Sequence, residues 1–207
     1  MRSFNPTTIS EHRRASDLLL QTLSMPGAAE ITVAELVAAF RDRAFGVVML
    51  IAALPNCIPA PPGLGSIFGV PLLFFAVQMA LGRSEPWLPA FLLRRKMRRI
   101  DLFKVALRAM PWLQRFERIC RPRLTKLASP IAERLLGGFI ALLAVSIIIP
   151  LPLTNFVPAV ATAILSLALL EDDGLGVGLG VLVGIGGLLL TASVLLALTE
   201  LVVLGIG

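Results

Sequence analysis

Apolar positions in this chain form long unbroken runs instead of the two- or three-to-four-residue rhythm of half-buried elements. No Asp, Glu, Lys, Arg or His occurs from Ala44 to Gly82, from Leu135 to Leu170 or from Gly174 to Thr199. Each run exceeds the roughly 20 residues with which a helix crosses a hydrocarbon core of about 30 Å. The first two, however, are interrupted. Apolar sequence from Ala44 stops at LPNCIPAPPGLGS, where Pro55, Pro59, Pro61, Pro62, Gly63 and Gly65 remove donors and helical continuity. It resumes near Ile67, with Pro71 read as a first-turn proline. The second run, from Leu135 to Ile149, breaks at PLPLTNFVP and resumes with Pro158 in the first turn. About 12 to 16 residues remain per arm, roughly 18 to 24 Å, which favours re-entrant hairpins over complete spans. The third run has no proline and is the one expected transmembrane helix.

The flanks read differently. Residues 9–24 and 32–43 mix apolar and charged positions at helical spacing, and the second segment opens with a Thr32/Glu35 capping box. The stretch DLFKVALRAMPWLQRFERI places Leu102, Val105, Ala106, Ala109 and Leu113 on one face, as in a helix lying among lipid headgroups. The expected fold is an all-α polytopic membrane protein. Amphipathic cytoplasmic helices (1–43) precede a hydrophobic hairpin (44–82), a basic interfacial segment (83–131), a second hairpin (132–171) and a C-terminal transmembrane helix (174–204).

The two hairpins resemble one another. An offset of 91 residues aligns Asp42-Arg43 with Glu133-Arg134, Gly46 with Gly137, and Ile58-Pro59-Ala60-Pro61 with Ile149-Pro150-Leu151-Pro152. Interrupted apolar segments at corresponding places in two halves are a pattern of transporters, whose broken helices expose backbone groups to a polar substrate. Peptide groups freed by proline are costly in lipid and must face protein or water.

Charge places the chain and narrows its partners. Hydrophobic residues make up 57 % and charged ones 15 %, yet 13 of the 19 Lys and Arg lie between Arg83 and Lys126. Basic sequence beside membrane segments marks the cytoplasmic side and anticipates anionic headgroups, so membrane lipids are expected partners and nucleic acid is not. The expected location is a membrane crossed several times, with the basic segment 83–126 on its cytoplasmic side. The N-terminus lacks the continuous apolar core of a secretory signal. Cys57 and Cys120 stand in unlike surroundings and suggest neither a disulfide nor a metal.

Candidate site residues fall into three groups. Arg43 and Arg134, at the hairpin mouths, could bind a phosphate or headgroup through forked hydrogen bonds, or could anchor the topology through ion pairs. Asn56, Gln78, Thr154 and Asn155 are polar residues within apolar runs, able to coordinate a substrate or to satisfy backbone groups freed by Pro59, Pro61, Pro150 and Pro152. Gly176, Gly180 and Gly184 offer a close-packing helix face, and with a chain too small to enclose a pathway alone this suggests a homodimer. His12 is the single histidine, so no catalytic residue, metal or cofactor is expected and the chain does not read as an enzyme.

The segment Leu54 to Pro89, LPNCIPAPPGLGSIFGVPLLFFAVQMALGRSEPWLP, followed by AMPWLQRFERICRPRL and AERLLGGFIALL, resembles the ExoD family of bacterial exopolysaccharide synthesis proteins. The resemblance runs from about Ser16 to Leu190 and implies an inner-membrane protein of that pathway. It brings no catalytic residue. Together these features point to a transporter or flippase-like protein for an anionic or lipid-linked envelope substrate. The alternative is a non-catalytic scaffold or regulator of polysaccharide synthesis enzymes.

Overall fold

A computed structural model describes residues 30–40, 43–57, 64–98, 100, 101, 103, 104, 129–149, 151 and 154–205, and these are mostly helical. The segment 9–24, His12, Asp42, Cys120, most of the basic interfacial helix and the four prolines 59, 61, 150 and 152 lie outside the described residues. The capping box is present as its spacing predicts. The Glu35 N–H donates to Thr32 Oγ1 at 3.2 Å and the Thr32 N–H to Glu35 Oε2 at 3.0 Å, opening α1 (Val33–Phe40). Just before it, β1 (Glu30–Thr32) pairs antiparallel with β2 (Lys96–Arg98), and Lys96 Nζ meets Glu30 Oε2 at 3.3 Å. Strands of three residues are too short for an alternation to be legible in sequence.

The first hairpin consists of α2 (Ala44–Ala53), a 3-10 turn (Leu54–Cys57) and α3 (Leu64–Ala80). A single turn, α4 (Ala90–Leu93), precedes the second hairpin of α5 (Pro130–Ile148) and α6 (Phe156–Glu171), and α7 (Gly174–Val203) completes the chain. Both hairpins are interrupted where the prolines cluster. Three expectations need correction. First, α3 starts at Leu64, so Pro71 lies inside it instead of in its first turn. Packing of the preceding turns against the end of α5 carries the helix through the proline. Second, α5 has 19 residues, because Ser129 caps it by accepting from the Ala132 N–H at 3.2 Å and Pro130 occupies the first turn. At 1.5 Å per residue α5 is about 28 Å long, more than the arm length expected above. Third, the last helix is therefore not alone: Pro130–Ile148 and Gly174–Leu201 are both long and apolar enough to cross a membrane.

Packing is crossed between the hairpins. α3 lies chiefly on α5, and α2 on α6. Near the start of α2, a β-carbon at Gly46 would fall 2.8 Å from the Ser166 carbonyl oxygen. Near the start of α5, one at Gly137 would fall 2.5 Å from the Ala80 nitrogen. These glycines, 91 residues apart, occupy matching places, each letting the first arm of one hairpin touch the backbone near the end of the other's second arm. In consequence the two hairpins point the same way. Both breaks gather at one end of the bundle, the tips, and both charged flanks at the other, the mouths.

The core between the arms holds Met49, Leu72, Ile140, Leu143, Ile147 and Leu165, all fully buried. The outer faces are equally apolar: Ile67, Val70, Phe74 and Val77 on α3 and Ile131, Leu135, Leu142 and Val145 on α5 are exposed. Contiguous apolar surface on that scale is unfavourable in water, and with the two long apolar helices it suggests a membrane protein. The glycine face of α7 is a packing face as its spacing predicts, but its partner is within the chain. Gly176 meets Ala168, Gly180 meets Leu165 and Gly184 meets Phe139, so this face is not open to a second copy. Higher up, Ser146 on α5 and Thr191 on α7 share a hydrogen bond of 2.8 Å.

Candidate functional site

At the tips, Asn56, Cys57, Ser66 and Thr154 turn their side chains on backbone carbonyls. Pro55 has no N–H, and the chain tightens into a 3-10 turn where α2 ends. There the Asn56 amide donates to the Ala52 carbonyl at 3.3 Å and the Cys57 thiol lies 3.5 Å from the Ala53 carbonyl. In a continued α5 the Ile148 carbonyl would bond the N–H of residue 152, which is a proline. Its donor comes instead from the other hairpin, Ser66 Oγ at 2.8 Å. Thr154 Oγ1 donates to the Leu151 carbonyl at 3.2 Å. Asn155 sits at the N-cap of α6 without a side-chain capping bond, and its amide rests directly on Gly65 of the first hairpin. The 3-10 turn itself packs on α6 and α3.

The tips therefore bring together Asn56, Ser66, Thr154 and Asn155, a set of hydroxyls and amides without a charge among them. Of these, Thr154 and Asn56 are buried, at 1 % and 7 % exposure. Such groups bond hydroxyls and peptide units well and supply no acid or base.

Gln78 is elsewhere. It lies 13 positions beyond Gly65 on α3, roughly 20 Å along the helix, so it belongs to the mouth. Its amide clamps one peptide from both sides: Nε2 donates to the Trp87 carbonyl at 3.2 Å and Oε1 accepts from the Trp87 N–H at 2.6 Å. That fixes the segment after α3 and sets Trp87 edge-on to Phe74, ring centroids 6.0 Å apart.

The arginines also stand at the mouths. Arg43 Nη2 is 3.2 Å from Asp172 Oδ2 at the end of α6. Arg134 lies over Gly82 at the end of α3, where a β-carbon would collide with its guanidinium. Asp173 caps α7, its Oδ1 accepting from the Leu175 N–H at 3.1 Å. The residues singled out from sequence thus divide into a neutral cluster and a charged one at opposite ends of the bundle. Reasoning from sequence missed Ser66 and the Ser146–Thr191 pair. The one available signal for Ser66 was arithmetic: a proline at 152 orphans a carbonyl, and a hydroxyl in the resumed first turn of the matching hairpin can reach it.

Among the described residues no group of three or more His, Cys, Asp or Glu is placed to hold a metal ion. No solved structure matches the chain. The uncharacterized protein slr1875 of Synechocystis sp. is 34 % identical over 154 residues, 73 % of either chain. Protein ExoD of Rhizobium meliloti is 30 % identical over 173 residues, 81 % of this chain and 72 % of that protein. The model of the family "Exopolysaccharide synthesis, ExoD" matches residues 15–193, a span that takes in both broken hairpins, the tips, the mouths and most of α7. With nearly all of the bundle inside that match, the chain belongs to the ExoD family, which is associated with exopolysaccharide synthesis.

Proposed function

We propose that this protein is a multi-pass inner-membrane component of exopolysaccharide synthesis that passes an anionic or lipid-linked envelope substrate between its two hairpins. The observation that carries this reading is the meeting of both breaks at one end, with Asn56, Ser66, Thr154 and Asn155 gathered there. Backbone and side-chain groups that now satisfy one another across the interface can exchange those bonds for the hydroxyls of a saccharide when the hairpins part. Gly46 and Gly137 bring backbone close to backbone at the mouths, where rocking of one hairpin on the other would pivot. The basic mouth flanks set the cytoplasmic side, which puts the tips toward the periplasm. The movement requires no catalytic residue.

The experiment locks the hairpins. Gly69 lies against Ile148 (2.8 Å from a β-carbon at 69 to Cγ1), so Gly69→Cys with Ile148→Cys, in a background where Cys57 and Cys120 are serine, can be oxidised to a bridge. Proteoliposomes carrying a fluorescent short-chain polyprenyl diphosphate sugar are expected to translocate it when reduced and stop when oxidised. Equal translocation in both states refutes the moving interface.

A scaffold reading has its own support. β2 holds Lys96 and Arg98 at the surface beside exposed Arg94 and Arg95, a basic ledge tied to α1 by the Val33 N–H to Arg95 carbonyl bond of 3.1 Å. A photocrosslinker at Arg95 that traps a stoichiometric polysaccharide synthesis enzyme in native membranes, with no translocation in liposomes, selects the scaffold.

A further inference from the structure

The two mouths are built alike and charged oppositely. α3 ends with the Arg83 N–H on the Gln78 carbonyl at 3.2 Å, the Gly82 N–H on the Met79 carbonyl at 2.9 Å, and Gly82 left-handed at φ 80. α6 ends with the same long bond, Asp173 N–H to Ala168 carbonyl at 2.9 Å, and its left-handed residue is Asp172 at φ 53. Each turn receives an arginine from the first arm of the other hairpin, Arg43 at Asp172 and Arg134 at Gly82. A helix C-terminus favours a cation in both places.

There the likeness stops. On α6 the arginine meets a carboxylate, with Glu171 and Asp173 on either side of it in sequence. On α3 the turn offers only Gly82 and the exposed Arg83, and among the described residues no carboxylate, Glu85 and Glu133 included, lies within ion-pair distance of Arg134. The Arg134 guanidinium stands at a turn whose next residue is the exposed Arg83, where the matching turn holds an arginine and an acid.

We propose that the Gly82 turn is a phosphate-binding site, in which a phosphate oxygen takes, against Arg134 and Arg83, the place that the Asp172 carboxylate takes against Arg43. Arginine presents paired donors that suit a phosphate. Gly82 serves by lacking a side chain, since a β-carbon there would occupy the space of the guanidinium. The phosphate can be that of a phospholipid headgroup or a free ion. Exposed Leu81, Trp87 and Phe74 beside the turn give an acyl chain an apolar track, and the Gln78 clamp holds Trp87 in that position. The site stands on its own, whether or not the hairpins transport anything.

The test uses the full chain in nanodiscs of mixed phosphatidylglycerol and phosphatidylcholine, reading the retained lipid by native mass spectrometry. Wild type is expected to hold phosphatidylglycerol over phosphatidylcholine by about fivefold, the worth of one basic side chain at an anionic surface. Arg134→Gln should lose that preference. Gly82→Asp gives this turn the carboxylate that the other turn carries, and should lose it too. The atoms it displaces are the end of a flexible side chain, but an aspartate at φ 80 is strained where Asp172 sits at φ 53, so Gly82→Asn, which carries the same strain without the charge, is the control and should keep the preference. Inorganic phosphate that displaces the bound lipid supports the same site and shows that it accepts a free anion. Phosphate without effect, with the lipid preference present, supports the headgroup as the ligand. An unchanged preference in Gly82→Asp, or a wild type that neither prefers phosphatidylglycerol nor binds phosphate, overturns the proposal.

Discussion

Replacing Ser66 by alanine isolates the device that makes a broken helix tolerable. The Ser66 hydroxyl is the donor to an Ile148 carbonyl whose ladder partner is removed by Pro152. Losing a donor to a buried acceptor costs about 1 to 3 kcal/mol, because the acceptor is left desolvated. Two considerations set where in that range the loss falls. An unpaired carbonyl in hydrocarbon costs several kcal/mol. Against this, Ile148 and Ser66 are only half-buried, so some solvent reaches them, and hydrogen bonds between helices in membranes average nearer 0.6 kcal/mol. We therefore expect about 1 to 2 kcal/mol, which for a chain of this size is a fall in melting temperature of roughly 2 to 8 °C. The assay is thermal unfolding in detergent at a fixed scan rate, with Ser66→Thr as the comparison that keeps the hydroxyl. If alanine melts with wild type while the protein remains monodisperse, the cross-hairpin bond does not satisfy the break and the reasoning fails.

The glycines give a sharper contrast. Gly137→Ala should destabilise by about 1 to 3 kcal/mol, since its methyl meets backbone atoms of Met79 and Ala80 that cannot turn aside. Gly138→Ala meets nothing within 4 Å and should be neutral or gain about 0.5 to 1 kcal/mol from helix propensity; equal melting temperatures of the two would contradict the packing. Gln78→Ala frees the Trp87 peptide, and in a Trp112→Phe background the remaining tryptophan should shift its emission and become more accessible to an aqueous quencher. An unaltered spectrum counts against the clamp. Ser146→Ala and Thr191→Val should show a coupling of about 0.6 to 1.7 kcal/mol in a double-mutant cycle on unfolding, and additive losses would mean that the α5–α7 hydrogen bond carries no weight.

Periodicity and charge were enough to find the broken segments, the capping box at Thr32 and Glu35 and the last helix, because each depends on residues close together in sequence. Length misled at α5. The apolar run starts at Leu135, but a helix starts at its cap, and Ser129 with Pro130 adds a turn and a half of charged sequence that periodicity alone leaves outside. For the same reason Pro71, read as a helix start, proved to lie inside one. A first-turn position is defined by where hydrogen bonding begins, which the packing of Gly65, Ser66 and Gly69 on the other hairpin decides.

What this sequence determined by itself is where helix stops and where charge accumulates, since a missing N–H and a desert of ionisable groups act wherever the chain goes. Which arm lies on which, that the breaks share one end, that the α7 glycines are spent on α6 and α5, and that one arginine meets an aspartate while its counterpart meets a glycine were decided only in three dimensions. These partners are 52 to 129 residues apart for Arg134 with Gly82 and Arg43 with Asp172, and apolar faces of nearly uniform composition carry no pattern that names their neighbour. Shape does: a glycine admits backbone, and the place where backbone can approach fixes the pairing.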